Sequence, residues 1–400
     1  MRSKRTTVLS GLLCTILVPA AFGQSGWNRV DLGGFSSIPT LSFLELPKEV
    51  MLIGTRGHSI LRSSDDGAHW TECPVVTSNE DVWNLAVTNA GTVLAATGGS
   101  KGICRSTDGG ATFTGSNVGL LTIRAAAFGV HPDSKWIFAA TFGVYRSSDD
   151  GKHWLQANEG LEGRGTTCFA FDEEDGMYVG ADGGLYYSGD EGVSWKPRLK
   201  FGLDTSVTSI LLTENAIYAG TNRGGVMVSQ DDGETWSPFS TGIGDTEITS
   251  LLDAGSFLFA GTKSGGAYIS KPGSNEWTSL NKKLLGQMVY QFIVGKGNTL
   301  FAVTDSGLFG MAAASGVSNA TSEEPLGISV ESRRVTLENP QRELVCLSIF
   351  DVMGRAVARK ESADLQLIAN LDALPAGCYF LRVTTPGSVN PGKLTRLELR

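Results

Sequence analysis

"SSDDGAHW", residues 63–70, crowds serine, aspartate and glycine into a run too rich in turn formers for a helix or a strand, then closes on a tryptophan. The pattern returns as STDGGATF at 106, SSDDGKHW at 147, SGDEGVSW at 188 and SQDDGETW at 229, and in altered form as SKPGSNEW at 270. Successive starts lie 43 and then four times 41 residues apart. A fixed period near 40 residues marks a repeat architecture in which each copy is one supersecondary unit.

Two further units recur in step with the turn segment. Ahead of each copy stand two short apolar runs separated by a glycine-rich break, as in "TVLAATGGSKGICR" (92–105) and "AIYAGTNRGGVMV" (216–228), and seven such pairs can be counted. Another apolar run opens each repeat, for example "DVWNLAV" (81–87), "SVTSILL" (206–212) and "MVYQFIV" (288–294). With the strand that follows the turn segment, each repeat holds four strands, the content of a propeller blade. Helical periodicity is absent, and 51 glycines with 18% charged residues suit a turn-rich β protein.

The seventh pair, in "TLFAVTDSGLFGMAAASG" (299–316), is followed by neither a turn segment nor a fourth strand. Trp27, however, lies 43 residues before Trp70, in "GWNRVDL" (26–32), with no turn segment in front of it. The expectation is an all-β, seven-bladed β-propeller over 24–314, closed by an N-terminal outer strand, because closure removes exposed sheet edges.

Each conserved-looking position of the turn segment has a folding role. The aspartates (Asp65, Asp108, Asp149, Asp190, Asp231) can accept backbone N–H groups further along the turn. The glycines two residues on (Gly67, Gly110, Gly151, Gly192, Gly233) can adopt positive φ. The aromatic residues (Trp70, Phe113, Trp154, Trp195, Trp236) pack between strands, each burying on the order of 150–250 Å². The pattern S-x-D-x-G-x-x-W resembles the BNR or Asp-box repeat of sialidases, some glucan hydrolases, sortilin-like receptors and photosystem II stability/assembly factor-like propellers. That resemblance implies the fold over roughly 25–312 and leaves catalysis open, since in those families the boxes lie away from the active face.

The two ends read differently. "MRSKRTTVLSGLLCTILVPAAFGQ" has a basic start, an apolar run over Val8–Phe22 and small residues before Gln24, the form of a secretory signal over 1–23 cleaved near Gly23/Gln24. No transmembrane segment is expected in the mature chain. Residues 315–327 are small and polar, a linker. From 328 to 400, strand-like runs alternate with turns at Asn339-Pro340, Met353-Gly354 and Pro375-Ala376-Gly377. Asp351 with Gly354-Arg355, Leu374-Pro375-Ala376-Gly377 with Tyr379-Phe380, and Lys393 make this stretch resemble the type A C-terminal sorting domain of the bacterial type IX secretion system. The resemblance implies a small C-terminal β-sandwich, secretion machinery as a partner of 328–400, and an extracellular or outer-surface location reached through the periplasm. Cys378 stands where that family has valine or isoleucine. A Cys346–Cys378 bridge is left open.

The net charge of −8 argues against nucleic-acid partners, and cleavage of the leader would remove three basic residues and no acid. Six cysteines include no CxxC pair, and four scattered histidines form no HExxH or triad pattern. No metal, cofactor or catalytic residue is therefore expected. Propeller ligands meet loops that lead into the innermost strands, where this sequence places Asp81, Trp83, Arg124, Arg164, Asp204, Glu247 and Tyr290. Trp83, Arg124, Arg164 and Tyr290 are the ligand-binding candidates. Arg62, Arg105 and Arg146 recur just before turn segments and read as part of the repeat. The reading is a monomeric, non-catalytic propeller that binds an extracellular protein or glycan. The alternative is a sialidase-like or glucanase-like glycoside hydrolase using Tyr290 and Glu247, against which stand a missing third central arginine and a period that leaves no long loops.

Overall fold

The computed structural model describes residues 26–312, apart from 74–79, 123, 133, 162–163, 173, 256, 282 and 296–298, together with the backbone of seven strands between 328 and 399. The leader and the linker of the sequence reading lie outside the described residues. The chain divides into two compact units, Met1–Ala314 and Ser315–Arg400.

The first unit is built from seven four-stranded antiparallel sheets. Six are consecutive in the chain. Strands β2–β5 (Thr40–Leu46, Val50–Thr55, Ile60–Ser63, Thr71–Cys73) form blade 1, and β6–β9 (Val82–Val87, Val93–Thr97, Ile103–Ser106, Thr114–Gly115) form blade 2. Blade 3 is β10–β13 (Ala127–Val130, Ile137–Thr141, Gly143–Ser147, Leu155–Gln156), and blade 4 is β14–β17 (Thr166–Phe171, Met177–Ala181, Gly184–Ser188, Lys196–Lys200). Blade 5 is β18–β21 (Val207–Leu212, Ile217–Thr221, Val226–Ser229, Ser237–Pro238), and blade 6 is β22–β25 (Ile248–Asp253, Leu258–Thr262, Ala267–Ser270, Trp277–Ser279).

Blade 7 draws β26–β28 (Val289–Gly295, Thr299–Thr304, Gly307–Ala312) from the end of the unit and its outer strand from the beginning, β1 (Asn28–Arg29). Asn28 pairs with Gly310 and Arg29 with Phe309. The expected seven-bladed ring closed by an N-terminal strand is thus present.

The second strand of each blade explains the sequence pattern. Val93–Thr97, Ile137–Thr141, Met177–Ala181, Ile217–Thr221 and Leu258–Thr262 are buried at every position, because the neighbouring blade covers each face of the sheet. Such strands read as continuous apolar runs rather than alternating ones. Their small residues set the distance between blades: a Cβ on Gly220 would stand 2.6 Å from Ile248 of the next inner strand, and one on Gly261 2.9 Å from Val289. The cores accordingly lie between blades. One contains Leu211, Tyr218 and Val226 of blade 5 with Leu258, Ala260 and Trp277 of blade 6.

Polar bonds tie the inner strands to one another around the ring. The hydroxyls of Thr167, Thr208 and Thr249 donate to the carbonyls of Val207, Ile248 and Val289 in the following blade. Gln291 Oε1 accepts the Phe43 N–H at 3.0 Å across the join between blades 7 and 1.

The turn segments join third to fourth strands, and serine is their hub. Ser188 Oγ donates to Asp190 Oδ1 at 2.7 Å and accepts the Gly192 N–H at 2.9 Å, while Asp190 Oδ1 accepts the Ser194 N–H at 2.9 Å. The same bonds recur at Ser63, Ser106, Ser147 and Ser229. The five glycines have φ between 74° and 87°. Three of the turns also receive an arginine from the blade before them: Arg62 donates to Gly109 O, Arg105 to Asp150 and Arg146 to Glu191 O.

The closing tryptophans bind backward. The indole N–H groups of Trp154, Trp195, Trp236 and Trp277 donate to the carbonyls of Ser116, Ala157, Arg198 and Phe239, each just past the outer strand of the preceding blade or within it. Trp27 donates in the same way to Leu280 O at 3.0 Å and is 1% exposed, stacked against Phe292. It fills the aromatic site of blade 7 without a turn segment to carry it.

The second unit contains two antiparallel sheets. One has the order β29-β30-β33 (Ile328–Glu331, Arg334–Glu338, Gln366–Asn370), and the other β32-β31-β34-β35 (Ala356–Ser362, Val345–Asp351, Gly377–Thr384, Leu394–Leu399). The register sets Cys346 opposite Thr384 and Asp351 opposite Tyr379, the neighbour of Cys378. The two cysteines therefore lie roughly 17 Å or more apart along the ladder, too far for the bridge that the sequence left open. Among the described residues, no helix is long and apolar enough to cross a membrane.

Candidate functional site

Antiparallel order gives the propeller two distinct faces. The turn segments and the links between first and second strands lie on one. The loops between second and third strands, and those leading into each inner strand, lie on the other. All four binding candidates belong to this second face.

Trp83 and Tyr290 are each the second residue of an inner strand, in β6 and β26, so blade 1 stands between them. Arg56, the residue after β3 of that blade, joins them. Its guanidinium donates to the Tyr290 hydroxyl at 2.9 Å and lies 5.7 Å from the Trp83 ring centroid. Asp81 holds the same loop by accepting the Gly57 N–H at 2.9 Å. Burial raises the pKa of the Tyr290 phenol, and the nearby Arg56 charge only partly offsets this. The phenol is thus neutral at ordinary pH. Trp83 remains 37% exposed, a flat apolar surface beside a cation.

Arg124 does not join that cluster. It lines a cavity of about 540 Å³ between blades 2 and 3 with Gly98, Gly99, Ser100, Thr122 and Phe142. The two features share Gly98, where an added Cβ would stand 2.1 Å from Trp83 Nε1. Arg164 is engaged within its own blade. It donates to Asp182 O at 2.8 Å and lies 5.3 Å from the Tyr186 ring centroid.

The remaining residues that open inner strands brace loops. Asp204 pairs with Arg223 at 3.3 Å and Glu247 with Lys263 at 2.7 Å. Among the described residues, no three His, Cys, Asp or Glu side chains converge to hold a metal ion. The first aspartates of the turn segments are each consumed by their own turn. Their pKa values fall to about 2 at Asp65, where the His69 backbone N–H is the largest cause, at Asp108 through the Ser106 hydroxyl, and at Asp231 through the Thr235 hydroxyl. Cys104 sits at the opposite extreme, its thiol pushed up to about 12 by burial.

Arg56 is the functional candidate that reading the sequence missed. Attention to the loops entering inner strands passed over the loops between second and third strands, which reach the same face. The available signal was an arginine directly after a buried "IGT" run and before glycine, in a loop with no turn segment to serve.

Fold and face together define a seven-bladed β-propeller with an aromatic and cationic cluster opposite its turn segments. No protein-family model matches the sequence, and no curated protein does. Solved structures do resemble it. YCF48 bound to D1 peptide aligns with a TM-score of 0.57 at 14% identity, over 72% of this chain and 96% of that one. YCF48 from Cyanidioschyzon merolae gives 0.54 at 14% identity, over 73% and 100%. The extracellular domain of BT4673 from B. thetaiotaomicron gives 0.53 at 14% identity, over 91% of this chain, which spans 56% of that one. At such identities the likeness establishes the propeller fold.

Proposed function

We propose that this chain is a secreted Asp-box propeller that binds an extracellular protein or glycan on the face carrying Arg56, Trp83 and Tyr290, without transforming it. The carrying observation is the exposed indole of Trp83 held beside Arg56, itself fixed by the Tyr290 hydroxyl. An amphipathic ring next to a cation can accept either an apolar side chain or a sugar face. Two facts favour binding over hydrolysis. The Tyr290 phenol is bonded to Arg56 and kept neutral by burial, which suits a contact better than a nucleophile. Glu247 is committed to Lys263 instead of to Tyr290. YCF48, similar in fold, has been solved with a peptide bound, which adds support for a protein ligand.

In this reading residues 1–23 are a signal peptide, 24–314 the propeller, 315–327 a linker and 328–400 a type IX sorting β-sandwich that delivers the protein to the outer surface. The mature protein immobilised for surface pull-down and glycan-array screening should retain a ligand. Trp83→Ala and Tyr290→Phe should weaken retention about tenfold while leaving the melting temperature within a few degrees. Turnover of sialyl or β-glucan substrates that is lost in Tyr290→Phe would replace this reading with glycoside hydrolysis.

A further inference from the structure

Beside that cluster, the cavity between blades 2 and 3 contains polar groups that the fold does not use. Arg124 is exposed and, among the described residues, makes no hydrogen bond, ion pair or ring contact. Other arginines of the propeller are occupied: Arg56 by Tyr290, Arg105 by Asp150, Arg164 by Asp182, Arg198 by Glu234 and Arg223 by Asp204. In the same cavity Thr122 Oγ1 is shielded from solvent and, among the described residues, has no hydrogen-bond partner. A buried hydroxyl without a partner is costly and uncommon in a native structure. The exposed guanidinium beside it is a donor suited to a carboxylate.

The walls are apolar and stiff. Phe142 is the single residue between β11 and β12, whose Thr141 and Gly143 are still paired across the turn, so its ring stands on a fixed base. It is 60% exposed, and Leu121, next to Thr122 in the chain, is 79% exposed. Neither exposure helps the blade pack. Leu203 and Leu285, on loops of the same face, are also exposed. Branched aliphatic chains offer a sugar ring little stacking surface but match the side chains of a peptide. Glu80 packs against Gly99 at the cavity edge and forms no ion pair with Arg124 among the described residues, leaving the guanidinium for a ligand.

We infer that the Arg124 cavity is a recognition pocket for a peptide segment presenting an acidic side chain beside a large apolar one. The carboxylate takes the Arg124 guanidinium, and the apolar side chain lies against Phe142. This rests on the reading of the face as a binding surface and selects protein from its two ligand classes.

The test uses the full-length mature protein and an array of end-blocked hexapeptides, each with one glutamate and one phenylalanine or leucine at varied spacing. A matched array carries glutamine for glutamate, and oligogalacturonates supply acidic sugars without apolar side chains. Wild type should bind the best glutamate peptides at least tenfold more tightly than their glutamine counterparts. Arg124→Gln should erase that ratio, Arg124→Lys should keep part of it, and Phe142→Ala should weaken both peptides while preserving it. Melting curves check that each variant is folded. Equal binding of glutamate and glutamine peptides, binding of no peptide, or Arg124-dependent preference for oligogalacturonates would overturn the pocket. If Trp83→Ala and Tyr290→Phe abolish capture of a surface ligand while the Arg124 results fail, the pocket falls and the wider reading stands; the reverse pattern keeps the pocket alone.

Discussion

The serine of each turn segment carries more of the turn than its modest side chain suggests. Ser188 is 1% exposed and bonds Asp190 and the Gly192 N–H at once. Ser188→Ala leaves a buried N–H without its acceptor and a carboxylate short of a donor, so it should destabilise the propeller by about 1–3 kcal/mol. Differential scanning calorimetry reads this as a melting temperature lowered by a few degrees. The sequence revealed the aspartate, glycine and tryptophan roles because each rests on a well-known preference of that residue type. It concealed the serine, since a hydroxyl becomes a hub only when strand register buries it. The aspartates predict a pH response. Asp65, Asp108 and Asp231 have folded pKa values near 2, against about 4 in an unfolded chain. Their contribution is present in full above about pH 4 and is lost as pH falls toward 2, because there the unfolded state binds more protons. Melting temperature followed from pH 7 to pH 2 should drop steeply below about pH 4, and Asp108→Asn should flatten that slope.

Among the strands, β1 does the most with the fewest residues. It pairs only Asn28 and Arg29 with β28, yet it brings Trp27 into the last inter-blade core. Trp27→Phe keeps an apolar ring but leaves Leu280 O without its indole donor, which should cost about 1–3 kcal/mol. Trp70→Phe is the comparison. The Trp70 indole bonds Gly67 O inside its own turn and is half-buried, so urea unfolding should show a smaller loss there. The strand was legible because Trp27 falls on the repeat period even without its turn segment. Its Leu280 bond was not, since nothing in a linear sequence shows that indoles reach back one blade. A second concealed feature is the glycine after three of the outer strands, Gly119, Gly160 and Gly242: at Gly160 an added Cβ would stand 2.1 Å from Trp195 O, a closeness that only the assembled neighbour imposes.

At the scale of the whole molecule, periodicity gave the number of blades, and strand order then fixed which loops share a face. The candidate site was legible only in part. Trp83 and Tyr290 lie far apart in the chain yet meet through Arg56, a residue from the blade between them. Arg124 and Arg164 look equivalent in sequence, both just ahead of an inner strand, and differ because Asp182 and Tyr186 occupy one while the other has no partner among the described residues. Such a difference depends on neighbours supplied by loops of varying length. The join at Asn28 and Gly310 also orders events in time. The propeller's first strand must wait for its last, so until β28 is made the chain is an open arc with an unpaired ladder at its leading end. Arrival of Gly307–Ala312 acts as a latch: before it the row of blades has an open edge at each end, and afterward the pairing of β1 with β28 closes the ring.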